Sequence, residues 1–152
     1  MATAPADLSL FDRLPPQNME AEQAVLGSML LDNEVIHDVV QLLTPEAFLR
    51  DAHQKVYAAI VDLYNQAQNI DALILFEELK RRGHLEEDGQ GELTTEYVGE
   101  ILDSTPTAAN AEYYAKIVRE KAVARRLIHA STEILRTAYD QCDSADELLS
   151  LL

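Results

Sequence analysis

The sequence predicts an all-α protein, in which a compact helical head precedes a long helix that starts a helical hairpin with a truncated second arm. Three observations support this fold class. Every apolar segment repeats at helical spacing, no segment pair has the alternation and tight turn of a β-hairpin, and residues 110–138 lack Pro and Gly. We expect a flexible N-terminal tail (1–14), a helical head (15–105) and a segment (106–152) that holds the hairpin helix and the start of its second arm.

The first helix is expected to follow Asn18, whose side chain can accept a hydrogen bond from a free amide at the helix start. Glu20 and Glu22 then lie near the positive end of the helix dipole. Its inner face comprises Ala21, Ala24, Val25, Leu26 and Met29. The break at residues 31–33 ends this helix.

Two more helices are expected before residue 65. Apolar residues at positions 35, 36, 39, 40 and 43 have the spacing of the second helix. A short helical turn that carries Phe48 is expected to follow. Thr44 suits its cap position and Pro45 its first helical position. Asp51 is expected to cap the third helix, whose inward residues are Val56, Tyr57, Ile60, Val61 and Tyr64.

A fourth helix is expected to start at Asp71, with Leu73, Phe76 and Leu79 facing inward. The bases at positions 80–82 lie at its negative end, and Gly83 suits the residue that ends a helix.

An acidic, Gly-bearing loop at residues 86–92 separates this helix from the next. Thr94 or Thr95 then starts a short fifth helix, which Pro106 ends as a unit. The apolar residues of this helix are Tyr97, Val98, Ile101 and Leu102.

The long helix is basic although the chain is acidic. Residues 110–138 hold six Lys and Arg against three Glu, whereas the whole chain has a formal charge of −15. The bases are Lys116, Arg119, Lys121, Arg125, Arg126 and Arg136. They are spread over several faces, which favours a protein partner over a nucleic acid groove. The acidic remainder repels phosphates.

An apolar stripe runs along this helix at spacings of three, four and seven residues, as in coiled coils. Its members are Ile117, Ala124, Ile128, Ser131, Leu135 and Ala138. Because an unpartnered stripe is unfavourable in water, we expect Ile117, Ala124, Ile128 and Leu135 to form an oligomer interface. Asp143 or Ser144 then caps a helix that stops at Leu152 after two turns, which predicts a fragment of a longer protein.

Catalytic and ion-binding patterns are missing from the sequence. Without a Gly-x-x-x-x-Gly-Lys-[Ser/Thr] loop, the chain is expected to lack an ATPase domain and not to be an enzyme by itself. The four histidines are dispersed and the acidic run 86–88 has no EF-hand pattern, so no metal or cofactor is expected. The single Cys142 suits a reducing cytoplasm, and no apolar run could cross a membrane.

Several ordered segments resemble one protein family. They are residues 15–27 (PPQNMEAEQAVLG), 52–57 (AHQKVY), 105–110 (TPTAAN) and 113–121 (YYAKIVREK), with RRLI at 125–128. Over about residues 14–150 the chain resembles the N-terminal domain of the bacterial replicative DNA helicase, the DnaB family. The acidic loop departs from the pattern, because Gly89 and Gly91 are separated where the family often has paired glycines.

The resemblance implies a collar domain of a hexameric ring, in which hairpins pair the subunits. It implies recruitment of primase through that enzyme's C-terminal domain during DNA replication, with contact positions near Tyr97, Ile128 and Ile134. ATP, Mg²⁺ and single-stranded DNA would bind mainly to a C-terminal domain that this chain lacks, and a helicase loader is a further candidate partner.

Two alternatives stay open. The chain can instead be a stand-alone helical module that binds nucleic acid through the basic 110–138 helix, which predicts single-strand binding with a steep salt dependence. Tyr97 can equally be a core residue, because it lies at helical spacing from the apolar residue Ile101.

Overall fold

The computed structural model describes residues 12–86, 91–140 and 144–152. Over these ranges it contains seven α-helices and no strand, which confirms the all-α prediction. The helices are α1 (Met19–Leu31), α2 (Ile36–Leu42), α3 (Asp51–Asn65), α4 (Ala72–Arg81), α5 (Thr95–Asp103), α6 (Ala111–Asp140) and α7 (Ala145–Leu149), with 3₁₀ turns at Asn33–Val35 and Pro45–Ala47. Most of the predicted tail, residues 87–90 of the acidic loop, Cys142 and the candidate cap Asp143 lie outside the described residues.

The chain divides into two compact units. The first unit comprises residues 17–122, and the second comprises residues 123–152 with the segment that ends at Pro16. These two units are defined by how closely their residues pack. The boundaries expected after residues 14 and 105 separate a tail, a head and a hairpin by their expected roles, and they stay predictions. None of the described helices is long and apolar enough to cross a membrane.

Local hydrogen bonds explain why several helices begin where they do. A side-chain oxygen accepts from a backbone amide three residues on at Asn18 (2.9 Å), Asp71 (2.9 Å), Thr94 (3.0 Å) and Ser144 (3.4 Å). The predicted cap at Asn18 and the predicted helix start at Asp71 are confirmed. Of the alternatives predicted for α5 and α7, Thr94 and Ser144 make the capping bonds. Gly83 follows α4 with a φ of 75°, a left-handed conformation that glycine adopts without steric cost.

The prediction that Asp51 caps α3 is wrong. Asp51 is the first residue of that helix, and Arg50 occupies the cap position without a side-chain hydrogen bond. The carboxylate of Asp51 instead pairs with Lys55 Nζ at 2.9 Å, one turn along the helix. The helix therefore begins at Asp51 itself, one residue before the start that a cap at Asp51 would give.

The inward face of α4 also differs from the prediction. Leu73 is 73% exposed, whereas Leu75 and Leu79 are fully buried and Phe76 is half-buried. Residues 75 and 79 are one helical turn apart and share a face, while residue 73 lies roughly 200° away from residue 75. Both Leu73 and Leu75 are apolar, so the sequence did not show which of these two faces of α4 is buried.

The core of the first unit lies among α1, α3, α4 and α5, with α2 packed on α3. Its largest fully buried apolar side chains are Phe48, Tyr57, Leu26, Met29, Ile36, Ile60, Leu75, Leu79 and Ile101. The first part of α6 adds Ala111, Ala115, Val118 and Ala122 to this core. Three of these four side chains are alanine, so the α6 backbone can lie close to its neighbours.

The crossing of α1 with the end of α5 depends on a glycine. A β-carbon on Gly27 would lie 2.7 Å from Thr105 Cβ and would overlap the Thr105 hydroxyl. Thr105 Oγ1 is itself held in place, because it donates to the Ile101 carbonyl at 2.8 Å. Only glycine therefore permits this approach.

Candidate functional site

The second half of α6 exposes a series of large apolar side chains. They are Val123, Leu127, Ile128, Ile134, Leu135 and Tyr139, which we call the α6 apolar surface. Ile128 is 52% exposed and Leu135 is 41% exposed. Such a concentration of apolar side chains on one helix marks a surface that a protein partner can cover.

The residues predicted to form an oligomer interface fall in two environments. Ile128 and Leu135 are exposed and Ala124 is half-buried, and all three belong to the second unit. Ile117 belongs to the first unit, where it is half-buried against the core. Their role in oligomer formation stays a prediction.

The bases of α6 do not form one basic face. Lys116 pairs with Glu112 at 3.6 Å and Arg136 pairs with Glu133 at 2.5 Å, both on the same helix. Arg125 donates to the Pro16 carbonyl at 2.8 Å. Three of the six bases are thus engaged within the chain, two of them on α6 itself, which reduces the positive charge that α6 could offer to a phosphate backbone.

Tyr97 takes part in a buried polar network that joins three helices. His53 Nδ1 lies 2.7 Å from Glu22 Oε1, and His53 Nε2 lies 2.6 Å from the Tyr97 hydroxyl. The second oxygen of Glu22 accepts from the Leu49 amide at 2.9 Å. Glu22 and His53 are 2% and 0% exposed, so their polar groups depend on these bonds.

One assignment of the protons satisfies every hydrogen bond in this network. An ionised Glu22 carboxylate can only accept, so His53 Nδ1–H donates to Glu22 and His53 Nε2 accepts from the Tyr97 hydroxyl. The Tyr97 oxygen in turn accepts from Gln23 Nε2 at 3.0 Å and Arg50 Nη1 at 3.2 Å. The orientation of every group is therefore mutually consistent.

This chain of carboxylate, imidazole and hydroxyl has the composition of a catalytic relay. Both lone pairs of the Tyr97 oxygen are, however, occupied by Gln23 and Arg50, which leaves none for attack on a substrate. The Arg50 guanidinium also lies over the Tyr97 ring, 4.8 Å from its centroid. The arrangement holds helices together and positions Tyr97.

Sequence reasoning missed Glu22 and His53 as members of a network. The available signal was their helical phase: Glu22 lies on the inner face of α1 next to Ala21 and Val25, and His53 lies one turn before Val56 and Tyr57 of α3. A charged or polar residue at a buried phase needs a partner. The sequence could not identify that partner, because it lies on another helix.

Tyr97 is half-buried in the first unit, whereas Ile128 and Ile134 are exposed in the second unit. Their predicted role as primase contacts stays a prediction. Among the described residues, no group of three or more His, Cys, Asp and Glu is arranged to hold a metal ion.

Comparison with known proteins gives one family over most of the chain. The family model described as DnaB-like helicase N terminal domain matches residues 14–120. The replicative DNA helicase DnaB of Mycobacterium leprae is 46% identical over 136 residues, which are 90% of this chain and 22% of the relative. This chain therefore spans less than a third of the length of that relative.

Two solved structures share the fold. The N-terminal domain of DnaB helicase from Mycobacterium tuberculosis matches with a TM-score of 0.83 and 43% identity, over 91% of this chain and 96% of that one. A DnaB-like replicative helicase, described together with its interactions with primase, matches with a TM-score of 0.64 and 26% identity. That match covers 89% of this chain and 32% of the other.

Proposed function

The chain belongs to the family of DnaB-like helicase N-terminal domains, and on that premise we propose that it is the collar domain of a hexameric replicative DNA helicase. In this proposal the domain joins subunits and recruits primase during DNA replication in the cytoplasm. ATP, Mg²⁺ and single-stranded DNA are handled by a C-terminal domain outside this chain. A helicase loader is a further candidate partner.

The observation that carries the proposal is the α6 apolar surface. Leu127, Ile128 and Leu135 are each more than two-fifths exposed on a helix of 30 residues. A helix with such a surface gains stability when a second helix covers it, because apolar area leaves water. The steps of four, three and four residues from Ala124 to Leu135 suit interdigitation with another helix.

Association through this surface can be measured by sedimentation velocity. Ile128→Asp places a charge in the centre of the surface, and we expect it to weaken self-association at least about tenfold. His129→Asp is the matched control, because it adds a carboxylate at an exposed position whose helical phase lies outside the α6 apolar surface. Equal association of wild type and Ile128→Asp would contradict the proposed interface.

Primase recruitment is supported by the solved DnaB-like helicase that is described with primase interactions. We assign the contact to Tyr97, Ile128 and Ile134, of which the two isoleucines are exposed and available to a partner. The hydrogen bonds that fix Tyr97 limit the entropy that its side chain would lose on binding.

Calorimetric titration with the C-terminal domain of primase tests this assignment. Ile128 is one of the predicted oligomer contacts and Ile134 is not, so the titrated variant is Ile134→Asp, with His129→Asp as the control. The self-association of both variants is measured alongside, so that a loss of primase binding is separated from a loss of oligomer. We expect Ile134→Asp to weaken primase binding at least about tenfold. Unchanged primase binding by that variant would remove Ile134 from the contact surface.

The nucleic-acid-binding alternative is tested with a labelled single-stranded oligonucleotide. We expect no change in fluorescence anisotropy at low salt, because the chain carries a charge of −15 and half of the α6 bases are engaged. Binding that falls steeply with salt would instead support the alternative.

A further inference from the structure

The outer side of α4 forms a ridge between two grooves. The first groove, of about 470 Å³, lies between the end of α3 and α4, and the second, of about 330 Å³, lies between α4, the residues 85–86 and the start of α5. Leu73 and Glu77 line both grooves. Leu73, the second residue of α4, is 73% exposed although its side chain is large and apolar.

The rim of the ridge is acidic. Glu77, Glu86 and Glu96 line the second groove, and none of them forms an ion pair with any residue that the structure describes. Lys80 is the single base among the residues that line that groove. Glu78, in contrast, is neutralised by Arg81 and Arg82.

Apolar side chains also line both grooves. Leu63 and Ile74 line the first groove, and Phe76 and Leu85 line the second. Apolar side chains of a partner could therefore enter on either side of Leu73, while its charged groups meet the carboxylates of the rim. The apolar ridge favours apolar side chains, and the carboxylates, which form no ion pair with a described residue, favour a positively charged partner.

We propose that the α4 ridge, formed by Leu73 and Glu77 with the two flanking grooves, binds a basic amphipathic segment of a partner protein. The segment would place apolar side chains against Leu73 and direct Lys or Arg toward Glu77, Glu86 and Glu96. The same carboxylates repel nucleic acid and anionic lipid surfaces. The same carboxylates disfavour the acidic surface of a second copy of this chain at this ridge.

This surface does not depend on the α6 apolar surface, because all of its residues belong to the first unit. It also does not involve the residues assigned to subunit association or primase binding. Failure of either proposal therefore leaves the other intact.

A designed peptide serves as the probe. It is a fluorescein-labelled helix of about 14 Leu and Lys residues with one apolar face, and its counterpart replaces every Lys by Glu. We expect the Lys peptide to bind the 152-residue chain and the Glu peptide not to bind. In ¹⁵N NMR spectra, the Lys peptide should shift amides of residues 63–86 and 93–96 more than those of α6.

Matched variants separate this surface from general electrostatic attraction. Leu73→Ser is compared with Leu31→Ser, since both leucines are exposed. Glu77→Gln with Glu96→Gln is compared with Glu34→Gln plus Glu46→Gln, which removes the same charge from exposed positions elsewhere. We expect each ridge variant to weaken peptide binding at least about fivefold and each control to change it less than about twofold.

Three outcomes would overturn the inference. Equal weakening by the ridge and control pairs would mean that the peptide responds only to net charge. Amide shifts confined to α6 would place the binding surface elsewhere. A loss of self-association in Leu73→Ser by sedimentation velocity would identify a second copy of this chain as the occupant. Melting temperatures of all variants show that the fold is retained.

Discussion

His53 stacks on Tyr97 and also bonds to its hydroxyl. The two rings lie within 13° of parallel with centroids 5.8 Å apart, and His53 Nε2 is 2.6 Å from the Tyr97 oxygen. The other ring nitrogen of His53 bonds to Glu22 on α1. One imidazole thus connects α1, α3 and α5 of the first unit.

Replacement of His53 should destabilise the fold. His53→Ala leaves the buried Glu22 carboxylate and the Tyr97 hydroxyl without this partner, and we expect the free energy of unfolding to fall by about 2–4 kcal/mol. Urea denaturation measures the loss. His37→Ala, at an exposed histidine of α2, should change stability by less than about 0.5 kcal/mol. Similar losses in the two variants would contradict a structural role for the network.

Two helical glycines should respond to alanine with opposite signs. A β-carbon at Gly27 would collide with Thr105, so Gly27→Ala should lower stability by about 1–3 kcal/mol. Gly99 in α5 has open space around its missing side chain, so Gly99→Ala should raise stability by about 0.5–1 kcal/mol through helix propensity. Thermal unfolding of both variants gives the comparison, and stabilisation by Gly27→Ala would rule out the close contact.

Glu78 should contribute to acid sensitivity. Hydrogen bonds from Arg81 and Arg82 lower the pKa of Glu78 from its ordinary 4.5 to about 2. Because the folded-state pKa is depressed, this stabilisation is fully present above pH 4.5 and is lost as the pH falls toward 2.

The variant Glu78→Gln should therefore be less stable than wild type at pH 7, and the difference should narrow as the pH falls toward 2. Melting temperatures recorded across this range test the prediction. Glu77→Gln is the control, because Glu77 forms no ion pair with a described residue. Its melting temperature should stay close to that of wild type both at pH 7 and near pH 2. A constant gap between wild type and Glu78→Gln would contradict the assignment.

Tyr57 should make the fold sensitive to alkaline pH. Burial raises the pKa of Tyr57 from 10.0 to about 12, because the phenolate would lose its water. Between these values the unfolded chain ionises this group while the folded chain does not, so stability falls by about 2 kcal/mol as the pH rises through that window.

Tyr57→Phe should remove this alkaline loss. At pH 7 it should cost about 1–2 kcal/mol, because the Leu43 carbonyl loses the hydroxyl that donates to it at 2.8 Å. Urea denaturation at pH 7 and at pH 11 measures both effects. Tyr113→Phe is the control, since Tyr113 is 65% exposed, and it should lose stability at alkaline pH as the wild type does.

Features set by neighbouring residues were predictable from the sequence. The caps at Asn18, Asp71, Thr94 and Ser144 depend on a side chain and an amide three residues away, and all four are present. The long uninterrupted helix was likewise predicted at 110–138 and observed at Ala111–Asp140.

The phase of α4 was not predictable in the same way. The segment from Leu73 to Leu79 is rich in apolar residues, so more than one helix rotation buries a set of them. The packing of α4 against α3 selected Leu75 and Leu79 and left Leu73 outside. The α4 ridge exists because of that selection.

The sequence by itself determined the all-α class, the cap at Asn18 and the apolar stripe along α6, because helical hydrogen bonds and side-chain periodicity act over three or four residues. Only the tertiary structure decided that Glu22 meets His53 across 31 residues and that His53 meets Tyr97 across 44. Those contacts arise where separate helices pack together, and burial then makes each polar group depend on its partner.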